Sequence, residues 1–205
     1  MPDAQEILEH LATASRDARW LALAWHLLVA ATLAALAAGC RPPRSHVGPA
    51  LSAPLLSASA IAWSFGNPFN GMMLFAAALV LAVPRGRPPL GEATLPGPWV
   101  RTLGFGLVGF AWVYPHFFEE ARFLDYLFFS PLGVIPCPTL ALVLGFVLLF
   151  DGGTSKGRTI VAAATGAFYG LFGWLVLDVT LDLVLLLGSA VVLVRALAST
   201  AGSGE

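Results

Sequence analysis

Apolar residues in this chain are not arranged to hide one face of a helix or sheet. They run in seven blocks, at about residues 20–39, 47–65, 69–84, 99–114, 133–150, 159–176 and 179–197. A helix needs roughly 20 apolar residues, rising about 1.5 Å each, to cross a hydrocarbon layer about 30 Å thick. Unbroken blocks of that length are what lipid, rather than water, selects as a surrounding solvent. Composition agrees: 58% of the 205 residues are hydrophobic and 11% are charged, whereas soluble domains carry about 25% charged residues. Eleven Lys and Arg with twelve Asp and Glu cannot coat a water-soluble fold of this size. The expectation is an all-α, polytopic integral membrane helical bundle with short amphipathic interfacial helices, sited in the bacterial cytoplasmic (inner) membrane. Blocks 69–84 and 99–114 are short for a span, so the count is six or seven transmembrane helices.

Punctuation divides the chain into three parts: an amphipathic amino-terminal segment (1–18), a single transmembrane bundle (19–197) and a flexible tail (198–205). The first carries Ile7, Leu8 and Leu11 on one side of a helix and acids on the other, which suits a membrane surface. Gly39-Cys40-Arg41-Pro42-Pro43-Arg44 ends the first block, and Asn67-Pro68 makes a turn with Pro68 placed to open a helix. PRGRPPLGEATLPGP (84–98) reads as a loop, and Asp151-Gly152-Gly153 closes the fifth block.

With seven spans, Arg16, Arg19 and Arg122 fall on the amino-terminal side. Arg41, Arg44, Arg85, Arg87, Arg101, Lys156, Arg158 and Arg195 fall on the other. Cations gather on the cytoplasmic side of membrane proteins, so the amino terminus is expected outside and the carboxyl terminus in the cytoplasm. Trp20, Trp63, Trp112 and Trp174 near outer ends and Trp99 near an inner end match the indole preference for the half-wet interface.

The same arithmetic gathers the polar groups on the outer side. Asn67 and Asn70 lie in the turn between the second and third spans. His116, Glu119, Glu120 and Asp125 follow the fourth span, Cys137 opens the fifth, Asp178 and Asp182 open the seventh, and His26 sits about a turn and a half into the first. A charge at a span's centre costs about 2.5–3.5 kcal/mol on insertion scales, so such groups face a cavity or one another.

Three local patterns follow. In PHFFEEARFLDYLFF (115–129), Phe117, Ala121, Leu124 and Phe128 form an apolar stripe, as for a helix lying in the interface. His116 and Glu120 stand one turn apart, placed to share a metal or a proton, or else the acids are solvated and pair with Arg122. Asp178 and Asp182, also one turn apart, face one direction if helical. They make either a cation site, with one carboxyl keeping its proton, or a helix cap and a carboxylate at headgroup depth. Pro136 and Pro138 flank Cys137, and with Pro138 as the first helical residue Cys137 becomes the N-cap, where the helix dipole favours a thiolate. The plain alternative is a shaped turn with an inert thiol.

Other signals are excluded. GFGLVG (104–109) matches a dinucleotide pattern but lies inside an apolar block with no strand before it. Its Gly104 and Gly109, like Gly166 and Gly170 in GAFYG, are better read as allowing close helix packing. A net charge of −1 leaves no basic patch for nucleic acid. Two cysteines make no disulfide framework. Cofactor and metal stay open.

NPFNGMMLF (67–75), VIPCPTLALVLG (134–145) and GAFYGLFGWLVLDVTLDLVLLLG (166–188) together resemble a family of bacterial polytopic membrane proteins. That family carries an Asn-Pro turn, here Asn67-Pro68, and a Pro-Cys-Pro-Thr segment opening a span, here Pro136, Cys137, Pro138 and Thr139. The resemblance covers mainly residues 60–190. It implies the membrane bundle and no catalytic residue, since the family has no assigned activity.

Three functional readings remain. The first is binding or passage of a small cation or small solute through an outward-facing polar pocket, with Asp178, Asp182, His116, Glu120, Cys137, Asn67 and His26 as candidate ligands. The second is an accessory or assembly subunit packed against a larger membrane complex or a second copy of the chain. The third is a membrane thiol redox protein using Cys137. The first does not require an enzyme.

Overall fold

The computed structural model describes residues 3–83, 90–115 and 123–198. These residues are helical: α1 (Ala4–Asp17), α2 (Arg19–Ala37), α3 (Arg44–Ser64), α4 (Pro68–Ala82), α5 (Pro98–Val113), α6 (Phe123–Phe129), α7 (Pro136–Leu149), α8 (Lys156–Leu175) and α9 (Asp182–Ala198). Each of the seven apolar blocks forms one helix, with ends within a few residues of the block. Among the described residues there is no β-strand beyond two isolated bridges, Pro43 with Glu92 and Thr94 with Asp151.

Those bridges tie together the α2–α3, α4–α5 and α7–α8 connections at one end of the bundle. The opposite end holds α1, the Asn67 turn, α6 and the α8–α9 turn. The seven long helices therefore run alternately up and down. α2 is long and apolar enough, by length and composition, to cross a membrane.

α7 is the axis. Every residue from Pro136 to Leu149 except Cys137 is buried, and α3, α5, α8 and α9 pack around it. A helix apolar on all sides belongs in the interior. At 14 residues and about 1.5 Å rise each it is short, and its neighbours cover its whole length. The outer helices behave oppositely. Leu27, Met72, Leu79, Leu175, Leu187 and Val194 are all at least half exposed, so the bundle turns apolar side chains outward as well as inward.

Glycines set the closest crossings. A side chain at Gly104 would stand 2.8 Å from Leu149 Cγ, and one at Gly145 would stand 2.8 Å from Val108 Cγ2. α5 and α7 thus touch backbone to backbone. Gly166 meets Leu144, and Gly170 meets the backbone of Leu186, so α8 closes on α7 and α9 in the same way. Gly109 departs from expectation: it is exposed and nothing lies within 4 Å of where a side chain would start. It sits on the far face of α5 and packs nothing among the described residues.

Two further expectations are corrected. α7 begins at Pro136 with Ile135 as N-cap, so Cys137 lies inside the first turn and is not the cap. Two prolines fit there because the first N–H groups of a helix have no intrahelical partner to lose. Asp178 and Asp182 do not share a helix face. Asp178 is exposed in the α8–α9 turn with φ 56°, a conformation that Asp tolerates better than most residues, and α9 starts at Asp182. α1 has the expected apolar side and an Asp3 N-cap, accepting from Glu6 N at 2.8 Å. It lies across the bundle end with Ile7 and Leu11 over a cavity. Of the helix expected over 115–129, residues 123–129 form α6; His116, Glu119, Glu120 and Arg122 lie outside the described residues.

Candidate functional site

Pro115 ends α5, because the residue before a proline is pushed out of helical conformation. That residue is Tyr114, turned inward and 1% exposed. Its hydroxyl donates to Asp182 Oδ1 at 2.8 Å. The other carboxylate oxygen, Oδ2, accepts from the Cys137 thiol at 3.1 Å. Asp182 is itself 1% exposed. Ends of α5, α7 and α9, 68 and 45 residues apart in the chain, thus meet at one carboxyl group.

α8 supplies the space. A side chain at Gly173 would overlap Asp182 Oδ2, so the carboxyl fits only because this position has none. One turn earlier on α8, Tyr169 donates to Asn70 Oδ1 at 3.0 Å. The Asn70 backbone N–H is in turn held by Asn67 Oδ1 at 3.0 Å, which makes Asn67 the N-cap of α4.

The loop feeding Cys137 is pinned from three directions. Thr139 Oγ1 donates to Ile135 O at 2.6 Å and accepts from Gly133 N at 3.0 Å. Ser57 Oγ donates to Gly133 O at 2.7 Å and accepts from Trp25 Nε1 at 2.9 Å. Gly133, at φ +70° beneath the Trp25 ring, has no room for a side chain. A thiol so placed has few other rotamers to explore.

Two neighbouring cavities open beside this cluster. The inner one, about 40 Å³, is bordered by Asp182, Cys137, Tyr114, Asn70 and Tyr169 and covered by Ile7, Leu8 and Leu11 of α1. The outer one, about 680 Å³, runs between α1 and the ends of α3, α4 and α8, with Asn67, Asn70 and Tyr169 on its wall and Glu6 and His10 at the rim. The two share lining residues from four elements, among them Ile7, Leu11, Asn70, Ile135, Tyr169 and Phe172. Among the described residues no Lys or Arg lines either one. An ionised carboxyl offers about four lone-pair positions; Tyr114 and Cys137 use two, and a further donor can use the others.

Of the expected ligands, the structure brings together Asp182 and Cys137, with Asn67 on the outer wall. Asp178 is outside the cluster. His26 is a satisfied core residue: its ring nitrogens lie 2.8 Å from Ala22 O and 3.0 Å from Trp112 O, with the ring edge-on to Trp112, and it borders neither cavity. His116 and Glu120 lie outside the described residues. Tyr114 and Tyr169 were missed, because a tyrosine in or at the end of an apolar block is ordinary in a membrane helix and marks no site. Gly173 carried no signal at all. Among the described residues no three His, Cys, Asp or Glu side chains are grouped to hold a metal ion. Comparison with protein-family models, with curated proteins and with solved structures finds no match for this chain.

Proposed function

We propose that this chain is a multi-pass membrane protein whose outer end binds or passes a small cation or small solute, with Asp182 at the bottom of the pocket. The observation that carries the reading is the convergence of Asp182, Cys137 and Tyr114 beside a cavity that, among the described residues, no Lys or Arg lines. Burying a carboxylate is costly unless it gains a partner, and its two donors here are both neutral groups. A cationic or donor-rich visitor supplies the missing partner.

The membrane setting rests on two supports. The apolar helices expose Leu, Met, Phe, Trp and Val over the outside of the bundle, and large exposed apolar surface marks a membrane or protein partner. Lipid is the partner that such an exterior suits. The asymmetry of Lys and Arg orients the site outward, with the amino terminus outside and the carboxyl terminus in the cytoplasm. The thiol redox reading has less to support it: Cys40 lies at the opposite end of the bundle, and Cys137 is bonded to Asp182 rather than placed near a second sulfur.

The test is reconstitution of the full chain in lipid vesicles, wild type against Asp182→Asn, with binding and uptake followed for a panel of inorganic cations and small amines. At least one member should show binding or flux that the variant loses. Identical behaviour of the two proteins across the whole panel sinks the reading.

A further inference from the structure

The pocket is larger and greasier than an inorganic ion needs. A small-molecule site occupies about 300–1,000 Å³, and the outer cavity, at about 680 Å³, falls inside that range. A bare metal ion would need only the inner one, at about 40 Å³. The outer walls carry Phe65, Phe69, Tyr169 and Phe172 together with Ile61 and Val134. Aromatic faces attract organic cations within about 6 Å of the ring centre. Acids stand at both ends of the path: Glu6 exposed at the rim and Asp182 buried at the floor. His10 shares the rim with Glu6; among the described residues no other basic side chain lines the route.

The inner cavity has the complementary size. Its volume of about 40 Å³ is close to the roughly 30 Å³ that one water molecule occupies, and an ammonium head is about as large. Such a head would find the free lone pairs of Asp182 and the Asn70 side chain beside it, while an apolar body filled the aromatic antechamber.

We propose that the ligand is an amphipathic organic ammonium ion, its charged head at Asp182 in the inner cavity and its apolar or aromatic body against Phe65, Phe69, Tyr169 and Phe172. This assignment deepens the solute-pocket reading and rests on it. A primary amine suits the site better than a quaternary one, because the head must donate hydrogen bonds to oxygen acceptors and enter a space of one-water size.

Calorimetric titration of the full-length protein in detergent with benzylammonium, benzyl alcohol and potassium tests the assignment. Benzylammonium should bind saturably, at least tenfold more tightly than the alcohol, and at least tenfold more weakly to Asp182→Asn. If that variant fails to fold, Phe172→Ala, at the junction of the two cavities, should weaken benzylammonium about tenfold. The comparison of amine with alcohol needs no variant. Equal affinity for amine and alcohol overturns the ammonium assignment and marks the antechamber as a site for neutral apolar molecules or lipid chains. Binding of potassium that depends on Asp182, without binding of benzylammonium, overturns the organic class while leaving the cation pocket standing. Absence of any ligand binding that depends on Asp182 removes both.

Discussion

Tyr114, Cys137 and Asp182 form a contact that no pair of them could make alone. Oδ1 is held by a hydroxyl and Oδ2 by a thiol, and the two donors differ in strength, since S–H is the weaker. Tyr114→Phe should therefore destabilise the protein by about 1–3 kcal/mol, the usual cost of a buried acceptor left unsatisfied. Cys137→Ser, which keeps a donor, should cost less. Denaturant or thermal unfolding in detergent reads the difference; equal losses for the two would mean that the thiol matters for more than its proton. Gly173→Ala tests the same carboxyl from the other side. Its methyl would overlap Asp182 Oδ2, so about 1–3 kcal/mol of overpacking is expected, together with lost ligand binding. Cys137 and Asp182 stood out in the sequence because a charge or a thiol within an apolar block is conspicuous. Tyr114 was inconspicuous there, since an aromatic residue at a span's end is ordinary at a membrane interface.

At the level of elements, helix crossings depend on which glycines face a neighbour. Gly104 and Gly145 meet across the α5–α7 contact, and Gly109, one turn and a half further along α5, faces outward. Gly104→Ala should cost about 1–3 kcal/mol through overpacking against Leu149. Gly109→Ala should be neutral or stabilising by up to about 1 kcal/mol, because alanine is the better helix former. Thermal unfolding of the two variants side by side decides it, and matching losses would mean that the crossing lies elsewhere. Spacing within GFGLVG marked both glycines alike. Which of them packs depends on the rotation of α5 about its axis, and that is set by α7.

For the whole molecule, the two bundle ends differ in chemistry. One gathers Arg41, Arg44, Lys156, Arg158 and Arg195 around the tied connections, with Arg195 and Asp151 paired at 3.7 Å. The other carries the cavities and α1. In the proposed orientation, a membrane-impermeant thiol reagent applied to intact cells should leave Cys40 unlabelled and reach Cys137 slowly. Removing residues 3–17 should quicken the labelling of Cys137, since Ile7, Leu8 and Leu11 cover the inner cavity. Labelling of Cys40 from outside would reverse the orientation. An unchanged Cys137 rate after the truncation would mean that α1 is not its cover.

The amino-acid order alone determined where each helix runs and that polar groups collect at one end, because both follow from local facts: the length of an apolar block, the residues that break it and the up-and-down alternation they impose. It could not determine which of those polar groups touch. Asp178 and Asp182 are equally acidic and four residues apart, yet one points to solvent and the other is buried under Tyr114 and Cys137. That outcome hangs on a left-handed residue in the turn and a missing side chain at Gly173, two features whose consequence exists only once α5, α7, α8 and α9 have packed.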